Sequence, residues 1–178
     1  MFKKIIFFIS VFVFLNSYSY ARDIDVYFTP SYKAEGAIED LIDNANKTIN
    51  IAMYTFTSRY LARHLIDAKK RGVKIRVLLD RKSNDPKEDK YTKYPYLKKN
   101  GINIRFAAAH TYKRWKRSGI MHNKFAIFDN KILETGSLNW TASAFIVNDE
   151  NVLVIRRQDM ANVYEGKFEA LWEKAKEK

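Results

Sequence analysis

Cysteine is absent from this sequence, so no disulfide can staple it, no thiolate can bind zinc and no thiol can act as a nucleophile. Glycine and proline are sparse, at 6 and 3 residues, and no stretch of the chain has the composition of a linker. Histidine occurs only at His64, His110 and His122, which narrows the search for an imidazole with a chemical role. No run of apolar residues reaches the roughly 20 needed to span a bilayer as a helix. The longest, residues 5–15, is broken only by Ser10. Nor does any cluster of acidic residues suggest a two-metal nuclease. What remains is globular: 47% hydrophobic, 15% aromatic and 29% charged over 178 residues, enough for one domain with a buried core and too few for two.

Acidic residues are also in deficit, 20 against 32 lysines and arginines, for a formal charge of +12. Such a surplus fits a polyanionic partner, either a nucleic acid or an anionic membrane surface. Lys3 and Lys4, the apolar run and Ser19-Tyr20-Ala21 together read as a secretory signal over residues 1–21. The rival reading of that segment is a retained membrane anchor. Removal of the signal leaves residues 22–178 with 30 basic and 20 acidic residues, a charge of +10. The expected location is the periplasm, the cell envelope or the medium, and a chain exported without cysteine must be held together by its core.

Hydrophobic periodicity alternates strands with helices. Strands are expected at 24–28, 49–56, 73–79, 102–106, 125–128, 132–135 and 152–155. Helices are expected at 34–45, from an N-cap at Ser58 to Gly72, at 94–99, from near Asn139, and at 160–176. The last carries Val163, Phe168, Leu171 and Trp172. Residues 82–90 read as a polar, mobile loop, and Asp129-Asn130-Lys131 as a tight hairpin turn. The order implies an α/β sandwich, a mixed β-sheet flanked by helices on both faces.

Within this frame one segment concentrates chemistry. His122 and Lys124 share a strand face, followed by Asp129, Gly136, Ser137 and Asn139. Neutral imidazole is a competent nucleophile near its ordinary pKa of about 6.5. Lysine can hold a nonbridging phosphate oxygen, and Ser137 and Asn139 add neutral donors. A basic and aromatic run lies just upstream: Tyr112, Lys113, Arg114, Trp115, Lys116 and Arg117. Cations can track a phosphate backbone while rings stack bases, as single-stranded nucleic acid requires, although the same run could press on anionic headgroups. His64, beside Leu61 and Leu65 on a helix, reads as a packing residue. His110 is a loop residue near the motif that could touch substrate.

The spacing His-x-Lys, four residues to Asp129, six to Gly136, then Ser-x-Asn, resembles the signature of the phospholipase D superfamily. The extent of the chain from about residue 24 to 175 is similar to that of the single-motif Nuc-type bacterial endonucleases. That resemblance implies the phospholipase D-like sandwich and a metal-independent phosphodiesterase without cofactor. It implies that His122 attacks phosphorus to form a phosphohistidine, aided by Lys124, Ser137 and Asn139. It also implies that Glu150, 28 residues on, hydrogen-bonds the nucleophile; Asp129, at a strand end, reads as orienting its neighbours through an ion pair. Neither His64 nor His110 begins a second motif. The second histidine must then come from an identical subunit, so an obligate homodimer with one composite site is expected. Nucleic acid, single-stranded DNA above all, is the expected substrate. The alternatives are hydrolysis of an anionic phospholipid such as cardiolipin, with peripheral membrane association, and a noncatalytic DNA-binding or uptake module.

Overall fold

A computed structural model describes residues 23–107, 111–112 and 117–175. The expected export signal at 1–21, His110, and Lys113, Arg114, Trp115 and Lys116 lie outside the described residues. The chain runs β1 (Ile24–Phe28), α1 (Tyr32–Asn44), β2 (Thr48–Met53), α2 (Arg59–Lys70), β3 (Lys74–Leu79), α3 (Tyr94–Lys99) and β4 (Asn103–Phe106). It continues through β5 (Thr111–Tyr112), β6 (Arg117–Ser118), β7 (Lys124–Phe128), β8 (Ile132–Gly136), α4 (Ala142–Ile146), β9 (Asn151–Ile155) and α5 (Gln158–Lys174).

Seven strands form one sheet in the order β1-β9-β8-β7-β2-β3-β4. Only the β2–β3 and β3–β4 pairs are parallel; every other pair is antiparallel, so the sheet is mixed. Alternation of side chains along each strand sends them to two cores. On one face Ile49, Ile51, Val77 and Ala126 pack with Ile38, Ile42, Leu61, Leu65 and Phe145 from α1, α2 and α4. On the other, Leu78, Phe125, Ile127 and Leu133 pack beneath Ala161, Phe168 and Trp172 of α5. Helices thus cover both faces, as expected.

Boundaries move by a few residues where caps and turns, not apolar pattern, decide them. Ser31 caps α1 by accepting from the Lys33 amide, and Ser58 caps α2 by accepting from the Leu61 amide. β2 stops at Met53 rather than continuing to residue 56, because Phe56 leaves the sheet to bridge Trp140. The helix expected from Asn139 begins only at Ala142, where the Thr141 hydroxyl accepts from the Ala144 amide. Val163 does not join the apolar face of α5: it is 67% exposed, while Phe168 and Trp172 are buried. Residues 82–90 are not a free polar loop. They open with a 3-10 turn at Lys82–Asn84, and the Asn84 side chain is fully buried.

Candidate active site

β7 enters the sheet at Lys124 and leaves at Phe128, which sets the motif residues at opposite ends of one strand. At the entry end, Lys124 Nζ lies 3.0 Å from His122 Nδ1 and donates to the His122 carbonyl at 2.9 Å. The imidazole is exposed, with its ring centroid 4.5 Å from that of Tyr54. Lys124 is 8% exposed, and its ammonium lies 5.1 Å from the Tyr54 ring centroid. Burial pulls the Lys124 pKa below its ordinary 10.5, and the Glu150 carboxylate opposes the change. A partly desolvated ammonium beside an accessible imidazole suits a phosphate oxygen, because its charge acts in a medium of low polarisability.

The second half of the motif is delivered by the turn after β8. Gly136 is required there for close approach: a Cβ would stand 2.0 Å from the Asn151 carbonyl oxygen. That closeness lets the Asn151 amide donate to Ser137 Oγ at 3.1 Å while the Ser137 hydroxyl donates to Glu150 Oε2. Asn139 Oδ1 accepts from the Thr55 amide at 3.2 Å, joining this turn to the segment after β2. Between the two polar residues Leu138 is buried, and Trp140 beyond them is buried as well, so alternation aims Ser137 and Asn139 away from the core. A shallow cavity of about 320 Å³ opens beside them, lined by Phe28, Thr29, Ser137, Asp149, Glu150 and Asn151.

Glu150 is in the site but does not bond the histidine as the sequence implied. Its carboxylate is held by Ser137 and by Asn148 Nδ2 at 3.3 Å, and its amide donates to Thr29 Oγ1 at 3.0 Å. Its link to His122 runs through Lys124, whose charge it supports.

Asp129 stands at the far end of β7, where it makes no contact with the site. It and Asn130 have φ of 53° and 54°, the paired positive values of a two-residue hairpin turn. Its carboxylate accepts from the backbone amides of Asn46, Lys47 and Thr48 at 2.9, 2.7 and 2.9 Å. Burial alone would raise its pKa, yet these three amides outweigh it and hold the carboxyl below its ordinary range. The orienting role expected of Asp129 is thus performed through backbone amides at the entry to β2, not through an ion pair.

Three residues the sequence did not single out hold the site in shape. Asp80, at the end of β3, accepts from the Met121 amide at 3.0 Å and from the Ser83 amide at 3.0 Å, fixing the residue before His122. Asn84 accepts from the Phe56 amide at 3.1 Å and donates to the Tyr54 and Asp80 carbonyls at 2.7 and 2.9 Å. Tyr54 supplies the wall against His122. No local pattern marked any of them, since each acts across 28 or more residues of chain or through a loop.

Of the basic run, Tyr112 and Arg117 pair in the two-stranded ladder β5–β6. That ladder precedes His122 by a few residues. His64 lies elsewhere, between α1 and α2. It is partly buried as expected, but two carboxylates hold it: Nδ1 is 2.9 Å from Asp43 and Nε2 is 3.6 Å from Glu39. Among the described residues Glu39, Asp43 and His64 are the group able to converge on a cation, and none belongs to the motif.

Residues 38–172 match the family described as "Cardiolipin synthase, PLD-like domain". The mitochondrial cardiolipin hydrolase of Xenopus laevis is 35% identical over 129 residues, 72% of this chain and 56% of that protein. A phospholipase D of Rickettsia conorii is 36% identical over 137 residues, 77% of this chain and 63% of that protein. The chain therefore spans little more than half the length of these two relatives. Among solved structures, NucT from Helicobacter pylori superposes with a TM-score of 0.80 at 27% identity, covering 85% of this chain and 96% of that one. A phospholipase D family member, Nuc from Salmonella typhimurium, gives 0.73 at 27% identity, covering 86% and 95%. Motif, sheet and matches agree: the chain belongs to the phospholipase D superfamily and has the fold of its single-motif, Nuc-type members.

Proposed function

We propose that this protein is an exported phosphodiesterase that cleaves nucleic acid, single strands above duplex, through a phosphohistidine on His122 and without a metal. The observation that carries the reading is the exposed His122 imidazole 3.0 Å from the half-desolvated Lys124 ammonium. A phosphate bound there meets a nucleophile and a fixed charge together. His122 attacks phosphorus and the P–O bond to the leaving group breaks, while Lys124 and Asn139 hold the nonbridging oxygens. The leaving oxygen needs a proton, and no second imidazole of this chain is among the site residues described. His122 of the partner subunit supplies it as an imidazolium in a two-fold composite site. That imidazole, now neutral, takes a proton from water, which attacks the phosphohistidine; the P–N bond breaks and both histidines return to their starting states.

Two further features support a dimer and a polyanion. Phe28, 70% exposed, lines the cavity that holds Glu150 and Ser137, and Tyr32, Ile146 and Val147 are exposed as well. A second copy docked across the half-sites would cover them. The charge of +10 over residues 22–178 and the basic and aromatic run at 112–117 favour a phosphate backbone. NucT and Nuc, covered to 96% and 95% of their length, support a nuclease by name, whereas the curated relatives are named for cardiolipin hydrolase and phospholipase D. The second reading, cleavage of an anionic phospholipid, draws on the same apolar rim, which would then face lipid tails in a monomer. Incubation with single-stranded DNA, duplex DNA and cardiolipin vesicles, each with EDTA, separates the two. Cleavage of single-stranded DNA supports the nuclease, and cleavage of cardiolipin alone overturns it.

A further inference from the structure

Glu134 is the most anomalous side chain among the described residues. It lies on β8, three residues before Ser137, and is 0% exposed with neither carboxylate oxygen hydrogen-bonded. Its cross-strand neighbours are Ala126 and Val154, and the cluster on that face is apolar. Trp140 stands at the other end of the same turn, one residue after Asn139. It too is 0% exposed, and its Nε1 is likewise buried without a hydrogen-bond partner. A buried carboxyl and a buried indole N–H thus flank the five residues that deliver Ser137 and Asn139. An apolar pair of similar size would be the cheaper way to fill that space, because an unsatisfied buried polar group is costly.

We propose that Glu134 and Trp140 form a polar strut beneath the 135–139 turn, and that Glu134 is a positioning residue whose protonation state sets where Ser137 and Asn139 sit. The proposal takes the site to be that of a phosphodiesterase, as argued above. Burial raises the Glu134 pKa to about 8, and the nearby Trp140 N–H partly opposes the rise. No charged group on any element packed against it contributes to that titration. As the neutral acid, Glu134 can sit in this apolar layer. As a carboxylate it must draw in water or move, and the turn attached to it moves too. The site then loses its alignment as pH passes through that value.

The sign for stability follows from the same shift. A glutamate that is neutral when folded and charged when unfolded makes the fold progressively less stable between its ordinary 4.5 and about 8. Above that range both states are ionised and the penalty is constant.

The test compares wild type, E134Q and W140F over roughly pH 6 to 10 by kcat on bis(p-nitrophenyl) phosphate and by thermal midpoint. Wild type should lose activity along an alkaline limb that E134Q lacks, because the amide is an isostere of the neutral acid and cannot ionise. Lys124 titrates on the same side but is common to all three proteins, so the difference between profiles isolates Glu134. W140F, which removes the opposing N–H, should move the limb to higher pH. The midpoint of E134Q should gain on wild type as pH rises toward 8 and run parallel beyond it. That measurement needs no substrate, so it separates failure of this proposal from failure of the phosphodiesterase reading. An E134Q profile that keeps the wild-type limb overturns the proposal. So does a folded E134Q that is inactive at every pH. If E134Q does not fold, W140F decides: a displaced limb supports the strut, and an unmoved one overturns it.

Discussion

The proposed chemistry depends on a pair of side chains two residues apart, His122 and Lys124, and each makes a distinct demand on experiment. His122→Ala should bind substrate but show no turnover, measured by filter binding and product release; cleavage surviving that change would remove His122 as the nucleophile. Lys124→Ala should lower kcat by about 100- to 1,000-fold, the usual loss when one stabiliser of transition-state charge is deleted from a preorganised site. Asp129 behaves differently, because its hydrogen bonds among the described residues go to three backbone amides at the entry to β2. Asp129→Asn should weaken the fold and leave kcat close to wild type. The folded pKa of Asp129 lies below its ordinary 3.8, so its contribution is fully present above that value and is lost as pH falls through the folded pKa. The deficit in thermal midpoint should therefore be present at neutral pH and vanish in acid.

At the scale of elements, the turn after β8 is where sequence, packing and chemistry meet. Gly136→Ala would set a Cβ 2.0 Å from the Asn151 carbonyl oxygen, so β8 and β9 must part and Ser137 must leave Glu150. Thermal midpoint and kcat should fall together, and an active Gly136→Ala variant would show that this turn does not position the site. The motif and most of the sheet were legible in the sequence because His122, Lys124, Ser137 and Asn139 lie in one short stretch, and because strand alternation is a strong local signal. Less legible was everything made by contacts between distant segments. Asn84 shapes the site from a stretch whose polar composition reads as a mobile loop, yet it is buried and bonded to the segment that carries Tyr54, while Asp80 reaches Met121 across 41 residues. The partner of Glu150 was misread for a related reason. Its reach to Ser137 depends on the close pairing of β8 with β9, which nothing local encodes. Val163 misled in the opposite way, since an apolar residue at helical spacing can still face solvent.

At the scale of the whole molecule, the described site holds one imidazole, that of His122. A single motif gives one nucleophile, and the proposed cycle needs two imidazoles, so activity should belong to a dimer. Sedimentation should give twice the chain mass at micromolar concentrations. Phe28→Lys, placed in the exposed apolar rim, should yield a folded monomer with little activity; a fully active monomer would refute the composite site. Binding to nucleic acid should weaken steeply as salt rises, because the surface is strongly basic and backbone neutralisation releases counterions. The most direct test of the central claim is digestion of end-labelled single-stranded DNA by the purified protein in excess EDTA, with His122→Ala alongside. Cleavage by the wild type and none by the variant is the predicted result. Loss of wild-type cleavage on chelation, or cleavage by His122→Ala, would contradict it.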